Sequence, residues 1–165
     1  QSRSSAASDV YKRQVSKGGE LHDSKSYNYA HVGVYFGILG LLTGMFWAKY
    51  TWGTYWTNDP KLNGSAIGLL IYFGYFILRS SIEDESKKGK ISSVYNVFAF
   101  SMLIPLIFIL PRLTDSLHPG NGGNPGFNVY DMNSQLRLVF YPAVTGFIFL
   151  GLWISDLRLK MLKLK

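Results

Sequence analysis

The chain contains no cysteine. Disulfide scaffolds, thiolate-held metals and thiol redox catalysis are therefore excluded for it. Charge is scarce as well: 16% of the residues are Asp, Glu, Lys or Arg, against about 25% in a soluble domain. Four stretches, 26–48, 62–78, 91–111 and 138–155, hold no charged residue at all. Proton relays and ion pathways normally need ionisable groups inside the membrane, so a pump or ion-coupled transporter is disfavoured. There is no phosphate-cradling Gly-Lys-Ser/Thr motif, and hence no ATPase of that kind. Histidine is limited to His22, His31 and His118, and only His31 falls inside an uncharged run. Multi-histidine metal sites and the paired histidines of a transmembrane cytochrome b are thereby disfavoured.

What is present is apolar and segregated. Hydrophobic residues make up 47% of the chain and aromatics 16%. The four uncharged runs have the length of spanning helices, about 17–25 residues. The expected fold is an all-α integral membrane protein with four transmembrane helices, near 27–47, 62–81, 91–111 and 137–155. Arg79 is expected to extend the second helix by snorkelling, and Pro105 to kink the third. Asn96 is expected to bond a neighbouring helix.

The net charge of +7 reads as topology rather than nucleic-acid binding. Arg3, Lys12, Arg13, Lys17 and Lys25 precede the first run. Arg79, Lys87, Lys88 and Lys90 follow the second, and Arg158, Lys160, Lys163 and Lys165 close the chain. The positive-inside rule puts both termini and the 79–90 loop in the cytoplasm. The connections 48–61 and 112–136 then share the outer face.

The domain plan is a polar leader, 1–26, a membrane domain, 27–155, and a basic tail, 156–165, expected to lie on the inner membrane surface. Residues 5–14 resemble read-through at the ends of translated sequencing contigs. The native chain is therefore expected to start near Val15 with its N-terminus missing. In the first helix Gly33, Gly37, Gly40 and Gly44 share one face and are expected to let another helix backbone approach.

Two places could carry chemistry. The first is Trp52-Gly53-Thr54-Tyr55-Trp56-Thr57-Asn58-Asp59-Pro60-Lys61, with Trp47 just ahead. Rings with polar neighbours beside apolar runs suit a membrane–water boundary or a flat apolar ligand. The second is the 112–136 connection, where Arg112 and Asp115 are expected one helical turn apart and His118 ends that turn. The Gly/Asn/Pro run after it is irregular and long enough to fold over something. An aromatic platform, an imidazole and the cations Lys49, Lys61 and Arg112 together suit haem: rings against porphyrin, imidazole on iron, cations on propionates. An interfacial belt with a structural histidine is the alternative. His31, roughly 25–30 Å away at 1.5 Å per residue, cannot share a ligand with that loop.

The stretch from Trp52 to Lys61 resembles the tryptophan-rich signature of the CcmC/CcsA family of cytochrome c biogenesis, Trp-Gly-x-Trp-Trp-x-Trp-Asp-x-Lys/Arg. The resemblance extends from about His31 to Trp153, and length and tail are nearer the CcmC branch. It implies a haem-binding factor of the bacterial inner membrane that holds haem b at the outer face. It would present the haem to a CcmE-type chaperone beside CcmA- and CcmB-type transporter subunits, and onward to apocytochrome c, steps that need no covalent chemistry. By position, Trp52, Trp56 and Asp59 match the signature and His118 matches the second axial histidine. Tyr55 and Asn58 replace two tryptophans, and Trp47 can supply a ring. The family has six helices and an earlier axial histidine, so a fragment lacking the first two helices is expected. Two other classes stay open: a structural or assembly subunit whose Trp loop is only an anchor, and a cytochrome b-like electron carrier.

Overall fold

The computed structural model describes residues 2–118 and 132–163. The first helix, α1, runs Ser2–Trp52 without interruption, so the polar leader continues the spanning helix rather than forming a separate segment. It stops at Gly53, whose φ of +83° is a left-handed conformation that glycine adopts without a Cβ penalty. Gly53 N–H donates to the Lys49 carbonyl (3.1 Å), and Lys49 Nζ returns to the Gly53 carbonyl (2.9 Å). This turn throws Thr54–Asn58 away from the helix axis.

Helix α2, Pro60–Ser81, starts where Asp59 in extended conformation caps it and Pro60 occupies the first turn. Proline lacks an N–H that would be unpaired there in any case. After the turn Ile82–Asp84, Asp84 caps α3, Glu85–Leu103. The charged inner loop expected at 82–90 is therefore mostly helix. Pro105, expected to kink this helix, sits at a change of helix type. It opens a π-helical segment, Ile104–Ile109, closed by Leu110 N–H donating to the Pro105 carbonyl, and α4, Leu110–Leu113, follows. A proline inside a helix removes one hydrogen bond and crowds the preceding turn, and a wider turn accommodates both. Helix α5, Ser134–Lys163, absorbs the basic tail, and carries Pro142 within it. Asn133 Oδ1 accepts from Leu136 N–H (2.8 Å) at its start.

Helix α2 packs on α3 and the π segment, and α1 packs on α2, α3 and α5. Besides Gly37 of α1, whose Cβ would lie 2.9 Å from Leu69 Cδ2, close approaches are made by glycines of α2 that composition did not single out. A Cβ on Gly64 would lie 2.3 Å from the Leu106 carbonyl oxygen in the π segment, and one on Gly68 would lie 2.9 Å from Leu103 Cδ2.

Polar clasps join the helices at the end bearing the 82–84 turn. Arg79, expected to snorkel, turns inward instead and pairs with Asp23 through both its terminal nitrogens. Its guanidinium also lies 4.6 Å from the Tyr27 ring. Asn28 Nδ2 donates to the Ser155 carbonyl (2.7 Å) and Asn28 Oδ1 accepts from Arg158 Nε (2.9 Å), binding α5 to α1. Asn96 Nδ2 donates to Ser26 Oγ at 2.7 Å, the interhelical bond expected of it.

Large apolar side chains such as Phe100, Leu138, Phe149 and Trp153 remain exposed along the helices. Helices that are apolar almost all round require an apolar surrounding. Among the described residues four helical stretches, Leu21–Trp52, Pro60–Ser81, Glu85–Leu113 and Ser134–Leu162, are long and apolar enough to cross a membrane.

Candidate functional site: an imidazole held by Asp59

Asp59 is the point of convergence. Its carboxylate is buried, with 3% of the residue exposed, although it precedes a spanning helix. As the cap of α2, Oδ1 accepts from Lys61 N–H (2.9 Å) and Leu62 N–H (3.2 Å). Chain from beyond α4 arrives on the same group. Oδ2 accepts from Ser116 Oγ (2.8 Å) and Leu117 N–H (2.6 Å), and Oδ1 lies 2.8 Å from His118 Nδ1. Burial alone would raise the carboxyl pKa. The hydrogen bonds from Leu117, Ser116 and Leu62, and the attraction of His118, outweigh it and hold Asp59 below its ordinary value.

An ionised carboxylate can only accept, so Nδ1 of His118 carries the proton in this contact. In the neutral imidazole that leaves the lone pair on Nε2. The backbone N–H of His118 donates to Ser116 Oγ (3.2 Å). The expected helical turn through Arg112, Asp115 and His118 does not form. Helix α4 ends at Leu113, Thr114 is extended (φ −129°, ψ 160°), and the segment is shaped by Asp59 instead.

Rings of α1 enclose the imidazole. Trp52 meets His118 edge to face, with centroids 5.0 Å apart at 80°, and Trp47 lies 6.5 Å away at 41°. Trp47 and Trp52 pack on each other at 5.0 Å. Lys61 and His118 line one end of a cavity of about 810 Å³ between α1, α2 and α3. The α1 residues on its wall run from Ser26 to Gly44, a length of about 27 Å at 1.5 Å per residue. The glycine stripe of α1 faces this cavity. A Cβ would touch Leu69 at Gly37 but meet nothing within 4 Å at Gly33, Gly40 or Gly44, so three of the four glycines leave space rather than admit a helix.

The expected site residues thus divide. Trp47, Trp52, Asp59 and His118 come together, with Lys61 beside them at the cavity end. Tyr55 turns aside to Phe46 (centroids 5.9 Å) and lies under Lys49 Nζ (5.5 Å). Trp56 is exposed, and Arg112 is exposed on α4. His31 sits at the opposite end, its ring 4.2 Å from those of both Tyr27 and Phe76. Ser116 was missed by sequence reasoning. The only signal for it was its position two residues before His118. The Gly/Asn/Pro run after His118 lies outside the described residues.

Four spanning helices and, at one end, a single imidazole fixed by a buried carboxylate and flanked by tryptophans define a multi-pass membrane protein with one prepared nitrogen donor. The cytochrome C assembly protein family matches residues 13–118, which include all four of these groups. The chain belongs to that family. It is 27% identical over 144 residues to heme exporter protein C of Bradyrhizobium diazoefficiens, covering 87% of this chain and 54% of that protein. The corresponding protein of Haemophilus influenzae is 26% identical over 140 residues, 82% of this chain and 54% of its own length. That of Rhodobacter capsulatus is 32% identical over 96 residues, 56% of this chain and 38% of its own. The chain therefore spans about half the length of the curated relatives it matches.

Proposed function

We propose that this chain holds haem as cargo for cytochrome c maturation at the end bearing Trp47, Trp52 and His118. The observation that carries the reading is the His118–Asp59 contact of 2.8 Å. With Nδ1 engaged by the carboxylate, Nε2 is the ring nitrogen that could hold iron, beside tryptophan rings that offer an apolar wall. The printed name of the relatives, heme exporter protein C, supports the same cargo. In this reading His118 would hold the iron of haem b, Trp47 and Trp52 would flank the porphyrin, and Lys61, at the cavity end, would pair with a propionate. His22 and His31 belong to the opposite half of α1 and would take no part.

The positive charge of the 79–90 segment and of both ends argues that this end faces outward from a bacterial inner membrane. From there the haem would pass to a CcmE-type chaperone and on to apocytochrome c, beside CcmA- and CcmB-type transporter subunits. Exposure of Tyr55 (50%) and Trp56 (42%) favours a second role for those two rings, anchoring the membrane interface.

The test is a reduced-minus-oxidised spectrum of the protein purified from a haem-replete host. A haem signal in the wild type that is lost in His118→Ala is expected. No haem in the wild type sinks the reading. In the same assay Trp52→Leu should lower haem retention, whereas Trp56→Leu should retain it.

A further inference from the structure

Asp59 belongs to the matched signature, but nothing in the geometry requires it to touch haem. It is buried, and its two oxygens already accept from Lys61 N–H, Leu62 N–H, Ser116 Oγ, Leu117 N–H and His118 Nδ1. A carboxylate so supplied with donors has no free lone pair directed at a ligand. It is an anion that acts through the imidazole. We propose that Asp59 is a positioning residue: its bond to Nδ1 selects Nε2 of His118 as the ligating nitrogen and makes that nitrogen a stronger donor to ferric than to ferrous iron. The inference rests on the haem reading above.

The physical reason is that a hydrogen bond from Nδ1–H to an anion draws the proton off the ring and pushes electron density toward Nε2. A more anionic imidazole stabilises the higher-charged iron and lowers the potential of the couple. Three features equip Asp59 for this. Its burial keeps water from screening the contact. The α2 cap fixes one oxygen by backbone donors, so the carboxylate cannot swing away. Ser116 Oγ and Leu117 N–H fix the other oxygen, so the segment that carries His118 is registered on the same group. Trp52, edge-on to the imidazole, limits rotation of the ring itself.

The experiment compares wild type, Asp59→Asn and Ser116→Ala as full chains in detergent micelles, loaded with haemin. Asn keeps the side-chain cap of α2 but removes the charge. Ser116→Ala removes a different donor from the same carboxylate and leaves the imidazole contact. Haemin affinity, the one-electron midpoint potential and the thermal unfolding midpoint are read on each. Asp59→Asn is expected to weaken ferric haemin binding by about 10–100-fold. A tenfold loss confined to the ferric state raises the potential by about 59 mV. Ser116→Ala, which keeps the Asp59 charge and the Nδ1 contact but frees one carboxylate oxygen, is expected to shift the potential by much less than Asp59→Asn does, even where it lowers the unfolding midpoint. An unchanged potential in Asp59→Asn, or an equal rise in Ser116→Ala, overturns the proposal and leaves Asp59 a structural brace. If the wild type binds no haemin, the haem reading has failed, and nitrogen NMR of the apo protein decides the positioning role separately. His118 protonated at Nδ1 in the wild type and mixed in Asp59→Asn upholds it; the same tautomer in both overturns it.

Discussion

The two ends of the helical bundle use polar groups in opposite ways. At the end bearing the 82–84 turn, Arg79 meets Asp23, Asn28 meets Ser155 and Arg158, and Asn96 meets Ser26. Each contact joins two helices. Even the histidine there, His31, has Nδ1 at 3.0 Å from the Tyr27 carbonyl and its ring against Phe76. At the other end Asn63 still pairs with Asn58, but Ser116, Leu117 and His118 do not pair off. They converge on Asp59, and the convergence leaves one imidazole nitrogen over. Polar groups deep in helical membrane proteins are costly and are retained for packing or for function; these two ends separate the alternatives.

The comparison can be broken by substitution. The largest effect expected is from Asp23→Ala, which strands Arg79, whose side chain is only 13% exposed. Removing one partner of such a pair costs about 3–5 kcal/mol. Thermal unfolding in micelles should fall accordingly, while haem retention per folded molecule stays at the wild-type level. A loss of haem from the folded Asp23→Ala fraction would show that the two ends are coupled. A smaller effect is expected at Gly64. An added methyl would collide with the Leu106 carbonyl oxygen at 2.3 Å, and overpacking of this kind costs about 1–3 kcal/mol. Because Gly64 follows the Asp59 cap by one turn and a little more, Gly64→Ala should also perturb the His118 spectrum, unlike Asp23→Ala. The smallest effect is expected from Gly40→Ala, where a Cβ meets nothing within 4 Å; the unfolding midpoint should not fall. A clear destabilisation there would mean that the cavity is closed in the protein as it exists in a bilayer.

The four spans were legible because the charges are segregated: runs such as 91–111 carry none. Their limits were not. Ser2–Trp52 and Ser134–Lys163 continue as helix through polar ends that hydropathy assigns to leader and tail, because nothing in those segments breaks a helix once it is propagating. Pro105 was visible, but its accommodation as a π-helical segment depends on Gly64 and the neighbouring helix. The meeting of the Trp-rich stretch with His118 was legible from the common face of their loops. The rank of the residues within it was not. Five adjacent positions look equivalent as letters, yet Gly53 turns the chain so that Trp52 stays against His118 while Tyr55 and Trp56 point elsewhere. Asp59 read as one member of a turn. Its role depends on donors 57–59 positions further along, a separation at which local pattern carries no information.

That same separation has a consequence for the biography of each molecule. Asp59 and His118 are 59 positions apart, and two spanning helices, Pro60–Ser81 and Glu85–Leu113, lie between them. At about 5–20 residues per second of synthesis, the carboxylate waits roughly 3–12 s for its imidazole. During that interval a nascent chain already displays Trp47 and Trp52, but the Asp59 carboxylate lacks Ser116, Leu117 and His118. The cluster around Asp59 is thus completed late, after both intervening helices exist, and a ribosome that stalls early releases a chain in which that carboxylate caps a helix and nothing more.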